Sequence, residues 1–261
     1  RHALQSRYVG QYQQRPLESG GQIFKVGWWN WYSLSSTEAA PRPKGARLDP
    51  PYMLARRRNG SLDVDWVDVS VDATGGSTAD DASALGLGII VGKGERRFLL
   101  RDLTPGPSTW RQTIKHVAGA VKLAGELAGK QRKITVLIEH KALGQALIEQ
   151  LEEAIIAGDL KYPDGTPIRA RVEPYEPKGP KGERADAMEP DIAAGTFYLL
   201  DGDDANTGPY RGEIEGFPKA DRDDRVDYTA QSLDFHRNPE AEWVDFFRKQ
   251  REAARASGAQ V

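Results

Sequence analysis

From Leu62 to Asp72 the chain is rich in valine, and Val67, Val69 and Val71 alternate with Trp66, Asp68, Ser70 and Asp72. That period of two predicts a β-strand with one apolar face. Thr74-Gly75-Gly76-Ser77 predicts a turn. Ala84 to Val91 and Arg97 to Leu103 predict two more strands, with Gly92-Lys93-Gly94 as the hairpin between them. The period then changes. Ile114, Val117, Val121 and Leu123 fall at helical spacing, so a helix is predicted from an N-cap at Ser108 to about Leu127, ended by Gly129. Ile134 to Glu139 is a short, nearly continuous apolar run, as in a buried central strand. Further on, the pattern predicts a helix from about Ala142 to Ala157 and a strand from Ile168 to Val172. A segment from Pro177 to Asp191 turns helical near Glu183, and a strand follows from Thr196 to Leu200. A short helix from Tyr210 to Gly216, a helix from Asp223 to about Phe235 and an amphipathic helix from Pro239 to about Ala256 close the chain. A strand meander followed by strand–helix units predicts an α/β fold with a mixed central sheet and helices on both faces.

Residues 1–60 break this regularity. They hold a Gln-rich start, an aromatic cluster (Trp28, Trp29, Trp31, Tyr32), Pro41-Arg42-Pro43, Pro50-Pro51 and Arg56-Arg57-Arg58. Proline and charge at that density predict a linker or extended arm. The expected organisation is a linker over 1–60, a main domain over 61–238, and a helix with tail over 239–261. The tryptophans are expected to pack against a neighbouring surface, with a base-stacking platform as the alternative.

Composition narrows the chemistry. No run is long and apolar enough to span a membrane, and no secretory signal opens the sequence. There is no cysteine, which excludes disulfides and thiolate metal sites, and the four histidines show no paired metal spacing. A bound metal is therefore expected on oxygen ligands, which favours Mg2+ or Mn2+. The formal net charge of −2 means that any nucleic-acid binding must use a local basic surface.

The candidate chemistry lies in acidic residues at element ends. Asp72 closes the first strand, Asp80-Asp81 follow the glycine turn, Glu139 closes the central strand, and Asp223, Asp224 and Asp227 open a late helix. Each has an ordinary reading: Asp72 as a turn former, Glu139 as a surface charge at a strand exit, Asp223 or Asp224 as an N-cap. Asp224 and Asp227, three apart, share a helix face. Strand ends and a helix start can converge in an α/β fold, and converging carboxylates repel unless a cation lies between them. That layout suits two divalent ions and phosphodiester hydrolysis. Asp68 and Ser70 share the strand face of Asp72. If that face is buried, Asp68 needs a partner, and the sequence names none.

Taken in order, several segments resemble the C-terminal nuclease domain of tailed-phage terminase large subunits, within the ribonuclease H-like superfamily. They are Tyr12-Gln13-Gln14-Arg15-Pro16 with Gly20-Gly21 and Phe24; Val71-Asp72-Ala73-Thr74-Gly75-Gly76 with Asp80-Asp81; and Val136-Leu137-Ile138-Glu139. Lys181 to Arg184 and Gly216-Phe217-Pro218 with Asp223-Asp224-Arg225-Val226-Asp227 complete the set. The resemblance implies a ribonuclease H-like sheet and a metal-binding triad of Asp72, Glu139 and one of the helix-start aspartates. Asp224 is favoured among these, with Asp223 and Asp227 as alternatives and Asp80 as an auxiliary. It implies two Mg2+ or Mn2+ ions and endonuclease action on double-stranded DNA during viral genome packaging, in the cytoplasm of an infected bacterial host. It also implies an ATPase domain, a small terminase subunit and a portal as partners in a full motor. Gln13 to Pro16 resembles the exit from that ATPase domain. No phosphate-binding loop of the form G-x-x-x-x-G-K-[ST] occurs, so this chain is expected to cut without pumping. Lys178, Lys181 and Arg184, and at greater remove Arg56 to Arg58, are expected to contact DNA phosphates in a salt-dependent way. The acid-rich stretch Asp201 to Asn206 is out of place beside a DNA groove. Two other classes stay open: a junction resolvase or integrase of the same superfamily, and a non-catalytic module that binds a packaging motor.

Overall fold

The computed structural model describes residues 23–35, 39–74, 84–130 and 132–237, with backbone alone for Thr74 and Ala142. Among the described residues eight strands form one sheet: β1 (Asn30–Ser33), β2 (Tyr52–Met53), β3 (Trp66–Thr74), β4 (Ala84–Lys93), β5 (Arg96–Asp102), β6 (Ile134–Glu139), β7 (Ala170–Tyr175) and β8 (Phe197–Leu200), in the order β2-β1-β8-β5-β4-β3-β6-β7. The helices are α1 (Trp110–Ala128), α2 (Ala142–Ile156), α3 (Lys181–Ala193), α4 (Asp204–Gly216) and α5 (Asp224–Arg237). β3, β4 and β5 form an antiparallel meander, and β6 and β7 add in parallel beside β3. This is the α/β fold with a mixed central sheet and helices on both faces expected from the sequence. None of the helices among the described residues is long and apolar enough to cross a membrane.

Helices cover both faces. Val67, Val69, Val71 and Ala73 of β3 and Val136 and Ile138 of β6 pack with Val117, Val121 and Ala124 of α1 and Leu147 and Leu151 of α2. On the other face, Ile90, Leu99, Phe197 and Leu199 pack with Met188 and Ile192 of α3, Tyr210 and Ile214 of α4, and Val226, Tyr228 and Leu233 of α5. Because side chains alternate along a strand, Asp68, Ser70 and Asp72 point to this second face, beneath α5. All three are buried.

α5 lies close on the sheet because β4 lacks side chains beneath it. Gly86 pairs with Asp72 and Gly88 with Ser70. A Cβ at Gly86 would sit 2.6 Å from the Asp224 carbonyl oxygen, and one at Gly88 would sit 2.2 Å from the Tyr228 ring. The helix then meets the polar face of β3 step by step. Ser70 Oγ donates to the Tyr228 carbonyl at 2.7 Å, and Ser232 Oγ donates to Asp68 Oδ2 at 2.8 Å. His236 Nε2 lies 2.8 Å from the same Asp68 oxygen, with the Trp66 ring stacked 3.6 Å from its imidazole. These contacts supply the partner that Asp68 requires.

The arm expected over residues 1–60 does not hold for its described part. β1 is an internal strand, parallel to both β8 and β2, and Phe24, Trp29, Trp31 and Tyr32 are buried. The reason is visible at Asp201. Arg42 grips both of its carboxylate oxygens at 2.8 and 3.0 Å while also donating to the carbonyls of Arg47 and Asp49. Proline and arginine here pin a loop across the sheet edge. Boundaries elsewhere shift by a few residues. α1 is capped at Thr109, whose N–H donates to Gln112 Oε1 at 2.8 Å, and not at Ser108. α3 starts at Lys181, α4 at Asp204 and α5 at Asp224. The helix expected over 239–256, the segment Tyr12 to Pro16 and the acidic pair Asp80-Asp81 lie outside the described residues.

Candidate active site

The C-terminal ends of β3 and β6 and the start of α5 meet at one point. β3 and β6 run parallel, with Val71 beside Ile138, so the next residues along the strands are Asp72 and Glu139. From above, α5 brings Asp227 within hydrogen-bonding reach of Asp72. Asp72, Glu139 and Asp227 are 1%, 2% and 3% exposed. Both oxygens of Asp72 are buried with no donor, and those of Glu139 lack any hydrogen bond of good geometry.

Three carboxylates in so dry a place cannot all carry charge. Burial pushes the Asp72 carboxyl up to about 9, reinforced by the neighbouring Glu139 and Asp227. Burial pulls Glu139 the same way, but a hydrogen bond with protonated Asp72 and the Lys141 ammonium outweigh it and hold Glu139 below the ordinary value. Burial raises Asp227 against the opposing pull of Lys181 and Arg184.

The counter-charges in this arrangement are basic side chains. Lys181 Nζ pairs with Asp223 Oδ1 at 2.7 Å and with Asp227 Oδ2. Arg184 Nη2 is 2.9 Å from Asp227 Oδ1, with Nη1 3.9 Å from Glu139. Lys141 Nζ is 2.8 Å from Glu139 Oε1. Among the described residues no three acidic or histidine side chains stand as a ready-made metal cage. The chemistry of the ligand atoms nonetheless fits a hard divalent ion: only oxygen, clustered, and at Asp72 without a donor.

The three helix-start aspartates separate. Asp227 faces Asp72. Asp224 is buried over Gly86, its carboxylate 3.6 Å from Arg222 Nε. Asp223 is half-exposed and held by Lys181. Of the basic residues expected to touch DNA, Lys181 and Arg184 belong to the cluster itself. Lys178 is exposed at its rim, 3.4 Å from Asp234. Arg57 pairs with Asp63, before the start of β3, which places the Arg56 to Arg58 run near the other end of the strand, whose first residue is about 20 Å from Asp72 at ~3.3 Å per residue.

Sequence reasoning missed the network that fixes α5. Arg225 donates through Nε to Asp102 at 2.7 Å and through Nη1 to Glu213 at 2.6 Å, and its backbone N–H donates to Glu213 at 2.5 Å. Its signal was a lone arginine inside the acidic motif. Lys141 was missed too, although it stands two residues after Glu139. The acid-rich stretch has structural duties: Asp201 holds Arg42, Asp203 holds Arg101 at 3.1 Å, and Asn206 accepts from the Asp102 N–H.

No protein-family model matches the chain, and no curated protein matches it by sequence. Among solved structures it is similar to the human cytomegalovirus terminase nuclease domain (TM-score 0.49, 10% identity, covering 68% of this chain and 87% of that one). A manganese-soaked, inhibitor-bound form of that domain gives a TM-score of 0.46 at 10% identity, covering 67% and 85%. The large terminase nuclease from thermophilic phage G20c, with bound cobalt, gives 0.40 at 12% identity, covering 82% and 97%.

Proposed function

We propose that the chain is a divalent-metal-dependent endonuclease that hydrolyses phosphodiester bonds of double-stranded DNA, of the kind found in terminase large subunits and acting in viral genome packaging. The observation that supports it most is the buried cluster of Asp72, Glu139 and Asp227, in which both oxygens of Asp72 lack a hydrogen-bond donor. Mg2+ or Mn2+ fits these ligands, with Asp72 between the other two. Asp227 is preferred to Asp224 as the third ligand because its carboxyl interacts with Asp72, whereas that of Asp224 lies beside Arg222. Asp224, Asp223 and Asp80 are left as outer candidates. When bound, such ions supply Lewis acidity and lower the pKa of water at a phosphodiester. The chain's own residues do the rest. Asp72 and Glu139 are fixed by β3 and β6, so the ligand geometry is rigid. Arg184 and Lys181 present cations toward a bound phosphate, and Lys178 adds one at the rim. Contact of this kind reads the backbone and not the sequence. An ATPase domain, a small terminase subunit and a portal are the partners that the motif resemblance suggests.

A plasmid-nicking assay with Mn2+, Mg2+ or chelator tests the proposal, with linear and four-way DNA as alternative substrates. Cleavage should need the metal and vanish in Asp72→Ala. A folded Asp72→Ala protein with full activity overturns the assignment, and preference for four-way DNA moves the function to a resolvase.

A further inference from the structure

Lys181 is the first residue of α3, and its ammonium bridges Asp223 and Asp227. It thus occupies Oδ2 of Asp227, an oxygen open to a divalent ion only if the lysine leaves. A carboxylate oxygen in ion-pair contact with an ammonium is a weaker metal ligand, because the two cations repel across a gap of a few ångströms. Arg184 makes a second contact with Asp227, but its side chain is 12% exposed and enclosed, whereas that of Lys181 is 29% exposed. Lysine also has four rotatable bonds through which the ammonium can move.

We propose that Lys181 is the counter-ion of the metal-free cluster and is displaced from Asp227 when divalent metal binds. The lysine then sets metal affinity by competition, and its freed ammonium points to the rim where a DNA phosphate arrives. This rests on the reading of Asp72, Glu139 and Asp227 as metal ligands.

Two measurements on the full chain test it. In wild-type protein, acetic anhydride labelling read by mass spectrometry should modify Lys181 several-fold faster with Mn2+ than with chelator, while exposed Lys178 labels equally in both. By calorimetry, Lys181→Met should bind Mn2+ about tenfold more tightly than wild type, the factor that corresponds to removing one modest ion pair. Mn2+ binding that leaves Lys181 labelling unchanged, or a folded Lys181→Met protein that binds Mn2+ no more tightly, overturns the displacement and leaves the metal site standing. If neither protein binds Mn2+, the metal-site reading fails and the displacement with it.

Discussion

Gly86→Ala tests whether the close seat of α5 is what assembles the site. The added Cβ would lie 2.6 Å from the Asp224 carbonyl oxygen, and ordinary contact begins near 3.4 Å. The obstacle is backbone, so no side-chain rotation relieves it. The start of α5 must rise by about 0.8 Å or the strand must sink by as much. Overpacking of this kind costs about 1–3 kcal/mol. The loss of glycine's freedom in the unfolded chain returns about 0.4–1 kcal/mol. The net destabilisation should be about 1–2 kcal/mol, which lowers Tm by about 2–8 °C for a domain of this size. Activity should fall further than stability. Asp227 rides on the same helix turn, and a misplacement near 1 Å costs roughly 100-fold in rate. Thermal melting and Mn2+-dependent nicking of the same preparation measure both effects. Gly119→Ala is the control: it sits in α1, a Cβ there meets nothing within 4 Å, and it should gain up to about 1 kcal/mol with unchanged nicking. A Gly86→Ala protein with wild-type Tm and wild-type nicking would refute the reasoning.

Three further outcomes are expected. Asp227→Asn should lose at least about 100-fold in nicking while Asp224→Asn loses much less, since only Asp227 faces Asp72; equal losses would return Asp224 to the metal. Arg225→Ala should destabilise by about 3–5 kcal/mol, because Asp102 and Glu213 stay buried without their cation, and a Tm drop below about 5 °C would contradict this. Adding Mn2+ to chelator-treated protein should raise Tm, and the rise should disappear in Glu139→Gln, as differential scanning fluorimetry can show.

The strands and helices that frame the site were legible because each keeps one period for long enough. β3, β4, β5 and β6 alternate or run apolar, and α1 holds its stripe over several turns. β1 was not legible. Its four residues, Asn30–Ser33, are too few to show a period, and the bonds that hold it come from Arg42 and Asp201, far apart in sequence. α4 was read short because Gly208 and Pro209 sit inside it. Asp72 and Glu139 could be picked out as charges that end apolar strands. The choice of Asp227 over Asp224 could not, since both share a helix face and only the rotation of α5 on Gly86 and Gly88 tells them apart. Lys181 and Arg184 were visible as basic residues. Their pairing with the acids needed the third dimension.

Asp68 and Asp72 form an internal comparison that bears on function. They lie on the same face of the same strand, about 13 Å apart at ~3.3 Å per residue, and both are buried beneath α5. Burial raises both carboxyls. The helix answers Asp68 with Ser232 and His236, and answers Asp72 with another acid, Asp227. The hydroxyl and the imidazole both meet Asp68 Oδ2 and leave Oδ1 without a partner, whereas Asp72 has no donor at either oxygen, so the shortage is greater at the cluster. Its natural remedy is a cation from outside. The two positions should therefore respond oppositely to one exchange. Asp68→Ala strands the Ser232 hydroxyl and the His236 ring and should cost about 1–3 kcal/mol. Asp72→Ala removes a carboxyl buried among other acids and should leave the chelator-treated protein as stable as wild type or more so. Urea unfolding in chelator measures both, and an equal loss at the two sites would mean that Asp72 is a structural carboxylate like Asp68.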